Sequence, residues 1–98
     1  MEIEYASKKL AKMATDPGET GGFAQSVVST FRRRVQLITA AADERDFYAL
    51  KSLHYEKLKG NRAAQRSMRI DKKWRLIIEI VEANDRKFVR LCGIEDYH

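Results

Sequence analysis

Trp74-Arg75-Leu76-Ile77-Ile78-Glu79-Ile80-Val81 is rich in β-branched and aromatic residues, and Leu76, Ile78 and Ile80 recur every second position. Such a stretch reads as a β-strand with one face on a core. On its N-terminal side, Asp71-Lys72-Lys73 makes a turn, and Ser67-Met68-Arg69-Ile70 before it alternates as a partner strand does. On its C-terminal side, Glu82–Arg86 carries Ala83-Asn84-Asp85, a second turn, and Lys87–Ile94 makes the last strand. Strands joined by short turns predict an antiparallel meander.

The N-terminal half has a different period. Met1–Tyr5 places Ile3 and Tyr5 on one face and Glu2 and Glu4 on the other, the pattern of a short edge strand. Ser7 is placed to cap a short helix with contacts from Leu10, Ala11 and Met13, and Thr15–Gly22, with Pro17 and three glycines, stops it. In the next segment Phe23, Val27, Phe31, Val35 and Ile38 recur at three or four residues and form one helical stripe. Arg32-Arg33-Arg34 lies inside this helix. Three consecutive side chains fan through roughly 200°, so they cannot share one ligand and are expected mainly in solvent. Asp43–Leu50 reads as a loop with a turn of helix, Asp46 capping and Phe47 and Leu50 packing down. The expected fold is α+β: a strand, two helices, then a mostly antiparallel sheet of three or four further strands with the helices on one face. The other face would be left to the basic residues of the C-terminal half.

The chain has 98 residues, of which 44% are apolar. That suffices for one core, so residues 1–98 are expected to form a single domain. No apolar run approaches the ~20 residues needed to span a bilayer, and Met1-Glu2-Ile3-Glu4 is acidic where a secretory signal is basic. A cytoplasmic protein is expected. One cysteine, Cys92, and two histidines, His54 and His98, argue against a disulfide framework and against a structural metal site. Cys92 is expected as a small buried residue. The net charge of +5 is localised: Lys51–Arg75 holds nine basic and two acidic residues, a balance of +7, leaving about −2 elsewhere. A field concentrated in this way suits a polyanionic partner.

Two motifs resemble a known family. Leu58-Lys59-Gly60-Asn61-Arg62, followed by Arg66-Ser67-Met68-Arg69-Ile70 and then Trp74-Arg75-Leu76-Ile77, is similar to a pattern of HigB-type toxins in the RelE/ParE superfamily. The chain closes Ile94-Glu95-Asp96-Tyr97-His98, similar to the Asp-Tyr-His ending of that branch. The resemblance implies a RelE-like toxin fold over the whole chain. It also implies a ribosome-dependent endoribonuclease that cuts messenger RNA in the A site, and neutralisation by a co-expressed HigA-like helix-turn-helix antitoxin. Two positions depart from the pattern. Asn61 replaces an aspartate, and Glu56 stands where many relatives have a histidine three residues before the motif lysine. His54 lies two residues earlier, on the same face of an extended segment but ~7 Å away.

Metal-free RNA cleavage uses the ribose 2′-hydroxyl as nucleophile on the adjacent phosphorus. It requires a base, an acid for the leaving 5′-oxygen, and positive charge on the transition state, and no cofactor or metal. The catalytic candidates are Lys59, Asp96, Tyr97 and His98. His98 suits a proton shuttle because an imidazole titrates near neutrality. Tyr97 is placed to donate a proton, orient the phosphate or stack on a base. Asp96 would orient His98, act as base, or simply cap the strand end. Lys59, with Arg62, would carry transition-state charge; Lys57, Arg62, Arg69, Arg75 and His54 are the RNA-binding candidates. Trp74 is assigned to the core. Two further readings stand beside this one: a ParE-like toxin that poisons DNA gyrase without cutting RNA, and a plain nucleic-acid-binding domain.

Overall fold

The chain runs β1 (Glu2–Tyr5), α1 (Lys8–Thr15), α2 (Gln25–Ala40), α3 (Arg45–Ala49), β2 (Glu56–Lys57), β3 (Gln65–Arg69), β4 (Trp74–Ala83) and β5 (Arg86–Asp96) in a computed structural model that describes residues 1–96. Single 3-10 turns at Lys51–Leu53 and Gly60–Arg62 flank β2. The five strands form one sheet in the order β1-β5-β4-β3-β2. The pairs from β2 to β5 are antiparallel, and β1 adds to the edge in parallel with β5.

Turn chemistry sets the register. Asp71 accepts hydrogen bonds on Oδ1 from the backbone N–H of Lys73 and of Trp74, each at 2.8 Å, which closes the β3–β4 turn. Asn84 and Asp85 both have positive φ (52° and 63°), the conformation of a tight two-residue hairpin between β4 and β5.

Val27, Val28, Phe31 and Ile38 on α2 are buried against Met68, Leu76, Ile78, Val89 and Leu91 of the sheet. The alternation at Leu76 and Ile78 thus faces the helices as expected, with Ile80 partly buried on the same side. Ser7 caps α1 by accepting from the N–H of Leu10 at 3.2 Å. Phe23 precedes α2 rather than belonging to it, and its ring meets Trp74 edge-on at 5.2 Å between centroids.

Several local expectations are corrected. Arg32 is not solvated. It lies across the α1–α2 connection and donates to the carbonyls of Met13 (2.8 Å), Asp16 (2.9 Å) and Glu19 (3.2 Å), satisfying oxygens that the glycine-rich turn leaves without helix partners. Arg34 donates to the carbonyl of Arg69 at 3.1 Å, and burial lowers the pKa of its guanidinium. Only Arg33 is exposed. Phe47 packs down, but Leu50 is exposed, because the chain turns after α3 and Leu53 takes the inward position. Asp46 does not cap α3: it sits in the first turn, and its carboxylate accepts from the N–H of Ala42.

A β-bulge also interrupts the β4–β5 ladder. Ile77 pairs with Gly93 and Ile78 with Leu91, so Cys92 is the extra residue. Val89 and Leu91 face the helices before the bulge, and Ile94 packs on the core after it. β5 continues two residues beyond the expected end at Ile94, to Asp96.

Candidate nucleic-acid interface

The sheet face turned away from the helices carries a row of charge. Arg69 of β3 lies directly opposite Arg75 of β4, and Arg75 lies directly opposite Glu95 of β5. Like charges placed opposite each other on a sheet repel, so the neighbours of these guanidiniums matter. Arg75 is largely buried, with 13% of its side chain exposed. It donates through Nε to Ser67 Oγ at 2.8 Å, donates through Nη2 to the carbonyl of His54, and lies 3.6 Å from Glu56 Oε1. Burial, more than the neighbouring Arg69, pushes the Arg75 guanidinium below its ordinary pKa, against an opposing pull from Glu56.

His54 joins the row through an unusual backbone. It follows the 3-10 turn with φ 45° and ψ 47°, the left-handed region that a non-glycine residue enters only when its surroundings hold it there. Leu53, buried beside it, anchors the turn. The imidazole Nε2 lies 3.3 Å from Arg69 Nη1. A guanidinium has only donors, so this contact requires Nε2 to accept. Arg69 is fixed at the other end by Nε donating to the Asp71 carbonyl at 3.3 Å. The α2 residue Arg34, which holds the Arg69 carbonyl, ties this end of β3 to the helix layer.

A second cluster adjoins the first. The 3-10 turn at Gly60–Arg62 lets Arg62 reach over the sheet, where its Nη1 and Nη2 donate to the two oxygens of Glu95 at 2.9 and 2.8 Å and its Nε donates to Gln65 Oε1 at 2.8 Å. Gln65 continues to Glu79 at 3.4 Å, and Arg90 lies 3.9 Å from the same carboxylate. Leu58 and Ile77 are buried but do not belong to the main core.

Of the residues singled out in sequence, Arg69, Arg75 and His54 are therefore brought together, with Arg62 beside them. Lys59 is exposed at the start of the Gly60–Arg62 turn. Lys57 is separated from the cluster: it pairs with Arg66, which shares the helix side of β3 with Met68 and binds Glu44 at 3.3 Å. Asp96 lies opposite Trp74, so alternation sends its side chain to the face opposite that of Glu95. Tyr97 and His98 lie outside the described residues.

The face turned away from the helices is thus not the reserve of the basic segment. Alternation along β2 and β3 sends Lys57 and Arg66 to the helix side, and Glu56, Glu79 and Glu95 occupy the other. Ser67, Gln65 and Glu95 are site residues that the sequence reading passed over. The lone glycine at Gly93 is the signal that could have marked the bulge and so the true face of Glu95.

Cys92 is half-buried, with its thiol 3.5 Å from Glu79 Oε1. Burial first, and then Glu79, pushes its pKa up to about 12. At pH 8 it should react with a disulfide reagent ~10²–10³-fold more slowly in the native chain than in urea, because the thiolate is the reacting form. Equal rates in a colour assay would mean that the thiol is open and unperturbed.

The sequence model of a family described as the RelE-like toxin of type II toxin-antitoxin system HigB matches residues 3–90. The chain belongs to this HigB-like toxin family. The match takes in His54, Lys57, Lys59, Arg62, Arg69 and Arg75 and stops before Asp96-Tyr97-His98. The fold resembles that of the YoeB/ParE toxin from Agrobacterium tumefaciens, with 13% identity over 100% of both chains and a TM-score of 0.58. It also resembles YafQ from E. coli strain BL21(DE3), with 15% identity over 97% of this chain and 91% of that one and a TM-score of 0.60. At such identities the likeness is one of fold. No curated protein sequence matches the chain. Among the described residues no helix of this HigB-like toxin is long and apolar enough to cross a membrane.

Proposed function

We propose that this HigB-like toxin is a ribosome-dependent endoribonuclease that cleaves messenger RNA in the A site, in the cytoplasm, and is held inactive by a HigA-like helix-turn-helix antitoxin. The observation that carries the reading is the opposed Arg69–Arg75 pair on the sheet face turned away from the helices, with His54 against it. Two guanidiniums held side by side at a cost in repulsion suit a ligand that brings negative charge, and an RNA phosphate does so.

In this reading Arg69 and Arg75 bind the scissile phosphate and its neighbour, and Lys59 and Arg62 add charge to the transition state. The 2′-hydroxyl attacks phosphorus, a new P–O bond forms, and the bond to the 5′-oxygen breaks. The proton leaves the hydroxyl for a base and another arrives on the leaving oxygen. Tyr97 and His98 are proposed for those transfers; Asp96, whose side chain leaves β5 on the other face, is proposed only to cap the strand end. His54 is proposed for substrate contact, whereas Lys57, on the helix side of β2, is left out of the site. No metal or cofactor enters the scheme.

The test compares cleavage of one message in a translating extract with cleavage of the same RNA free in buffer. Cuts confined to translated codons, with ribosome affinity falling steeply as salt is added, are the expected result. Comparable rates on free RNA would remove the ribosome from the reading. Absence of any cleavage, with supercoiling by DNA gyrase inhibited, would replace it with the ParE-like one.

A further inference from the structure

Resting on the nuclease reading, we infer that Glu95 is a built-in competitor of the RNA phosphate for Arg62, an affinity-setting residue that the substrate must displace. A carboxylate and a phosphate present the same paired oxygens to a guanidinium fork. Glu95 takes that place with bonds of 2.9 and 2.8 Å to the two terminal nitrogens of Arg62, while Gln65 occupies the remaining Nε. The carboxylate also stands directly across the ladder from Arg75, which itself stands across from Arg69. It thus lies at the edge of the guanidinium pair, where an RNA backbone following the cations has to pass.

The pair is built to open. Its side chains are 34% and 41% exposed, so solvent and salt weaken it. Arg62 is carried on a short 3-10 turn rather than on a strand, whereas Glu95 is fixed in β5. A passing phosphate can therefore draw the guanidinium off the carboxylate without disturbing the sheet. Glu95 then keeps the cationic row partly neutral until a polyanion of sufficient charge arrives, which favours a long, positioned RNA over small anions.

The experiment measures binding of a short single-stranded RNA, made uncleavable by 2′-deoxy substitution, to four chains: the parent, Glu95→Gln, Arg62→Ala and the double variant. Glu95→Gln should bind about fivefold more tightly, on the scale of a half-exposed ion pair. Its log–log salt slope should steepen by about 0.7, one more phosphate neutralised on a single strand. In the Arg62→Ala background the same substitution should give little gain. Weaker binding by Glu95→Gln would make Glu95 a positioning residue for Arg62 and overturn the inference. So would an equal gain with and without Arg62, which would mean a general charge effect. Should Glu95→Gln fail to fold, the parent decides the matter: RNA should shift the Glu95 carboxyl carbon resonance, and an unmoved resonance overturns the inference. Binding by the parent with no gain in Glu95→Gln fails the competitor alone. No binding by any of the four chains overturns the inference, while the nuclease reading stands or falls separately on cleavage in the translating extract.

Discussion

A chain lacking Tyr97 and His98 should lose messenger-RNA cleavage by a factor of ~10²–10⁴ and melt at the temperature of the full chain. The size follows from the role proposed for these residues. A positioned proton transfer is worth about 3–5 kcal/mol of barrier, and this pair supplies the imidazole and phenol of the proposed site. Stability should be spared for a structural reason. Every described residue is retained, and β5 contributes its core contacts through Val89, Leu91 and Ile94, all upstream of the cut. The measurement is cleavage in a translating extract beside a thermal melt. Toxicity that survives the truncation, with gyrase inhibited, would make the protein a binder. A collapse of the melting temperature would assign the terminus to the fold instead.

Arg75→Lys should cost cleavage by ~10²–10³-fold and stability by about 1–3 kcal/mol. Lysine keeps the charge, so a simple loss of field cannot explain a defect. What lysine lacks is the planar fork, and Arg75 uses it to hold Ser67 Oγ and the His54 carbonyl while facing Glu56. A single ammonium cannot meet these partners at once from the same strand position. Ser67 is fully buried, so its hydroxyl loses its partner, and the strained left-handed backbone at His54 loses the clamp that holds it. Urea unfolding gives the stability change, and saturation kinetics separate binding from turnover. A rise in KM larger than the fall in kcat is expected, because Arg75 is assigned to holding the scissile phosphate and its neighbour. Cleavage near the parent level with reduced stability would make Arg75 a structural clamp only.

The parts of the fold that repeat were legible in the sequence. The period of two in Leu76, Ile78 and Ile80, the period near 3.6 in Val27, Phe31 and Ile38, and the turns at Asp71 and Asn84 each follow from local chemistry. What was not legible came from single residues acting at a distance. Arg32 is bound to carbonyls thirteen or more positions away, and nothing local distinguishes it from Arg33. The bulge at Cys92 changes which face Glu95 occupies, and a strand ended at Ile94 leaves that carboxylate out of the sheet altogether. Basic residues could be counted in Lys51–Arg75 but not sorted by face, because the two-residue strand β2 gives too little alternation to read. Arg69, Arg75 and His54 stand out in the sequence as basic or imidazole side chains near the motif. Their mutual contacts depend on the left-handed turn at His54, which no glycine announces.

The sheet order has a consequence for when the protein can become active. β5 is the last of the five strands to be synthesised, yet it lies between β1 and β4. Until it has left the ribosome, β1 has no neighbour in the sheet and the row that contains Glu95 does not exist. Pairing that joins the two ends of a chain closes late and slowly compared with local helix contacts. On the nuclease reading, a nascent copy should therefore be inactive until its C-terminal strand has paired. That delay gives a partner protein, made alongside, time to reach the chain as it folds.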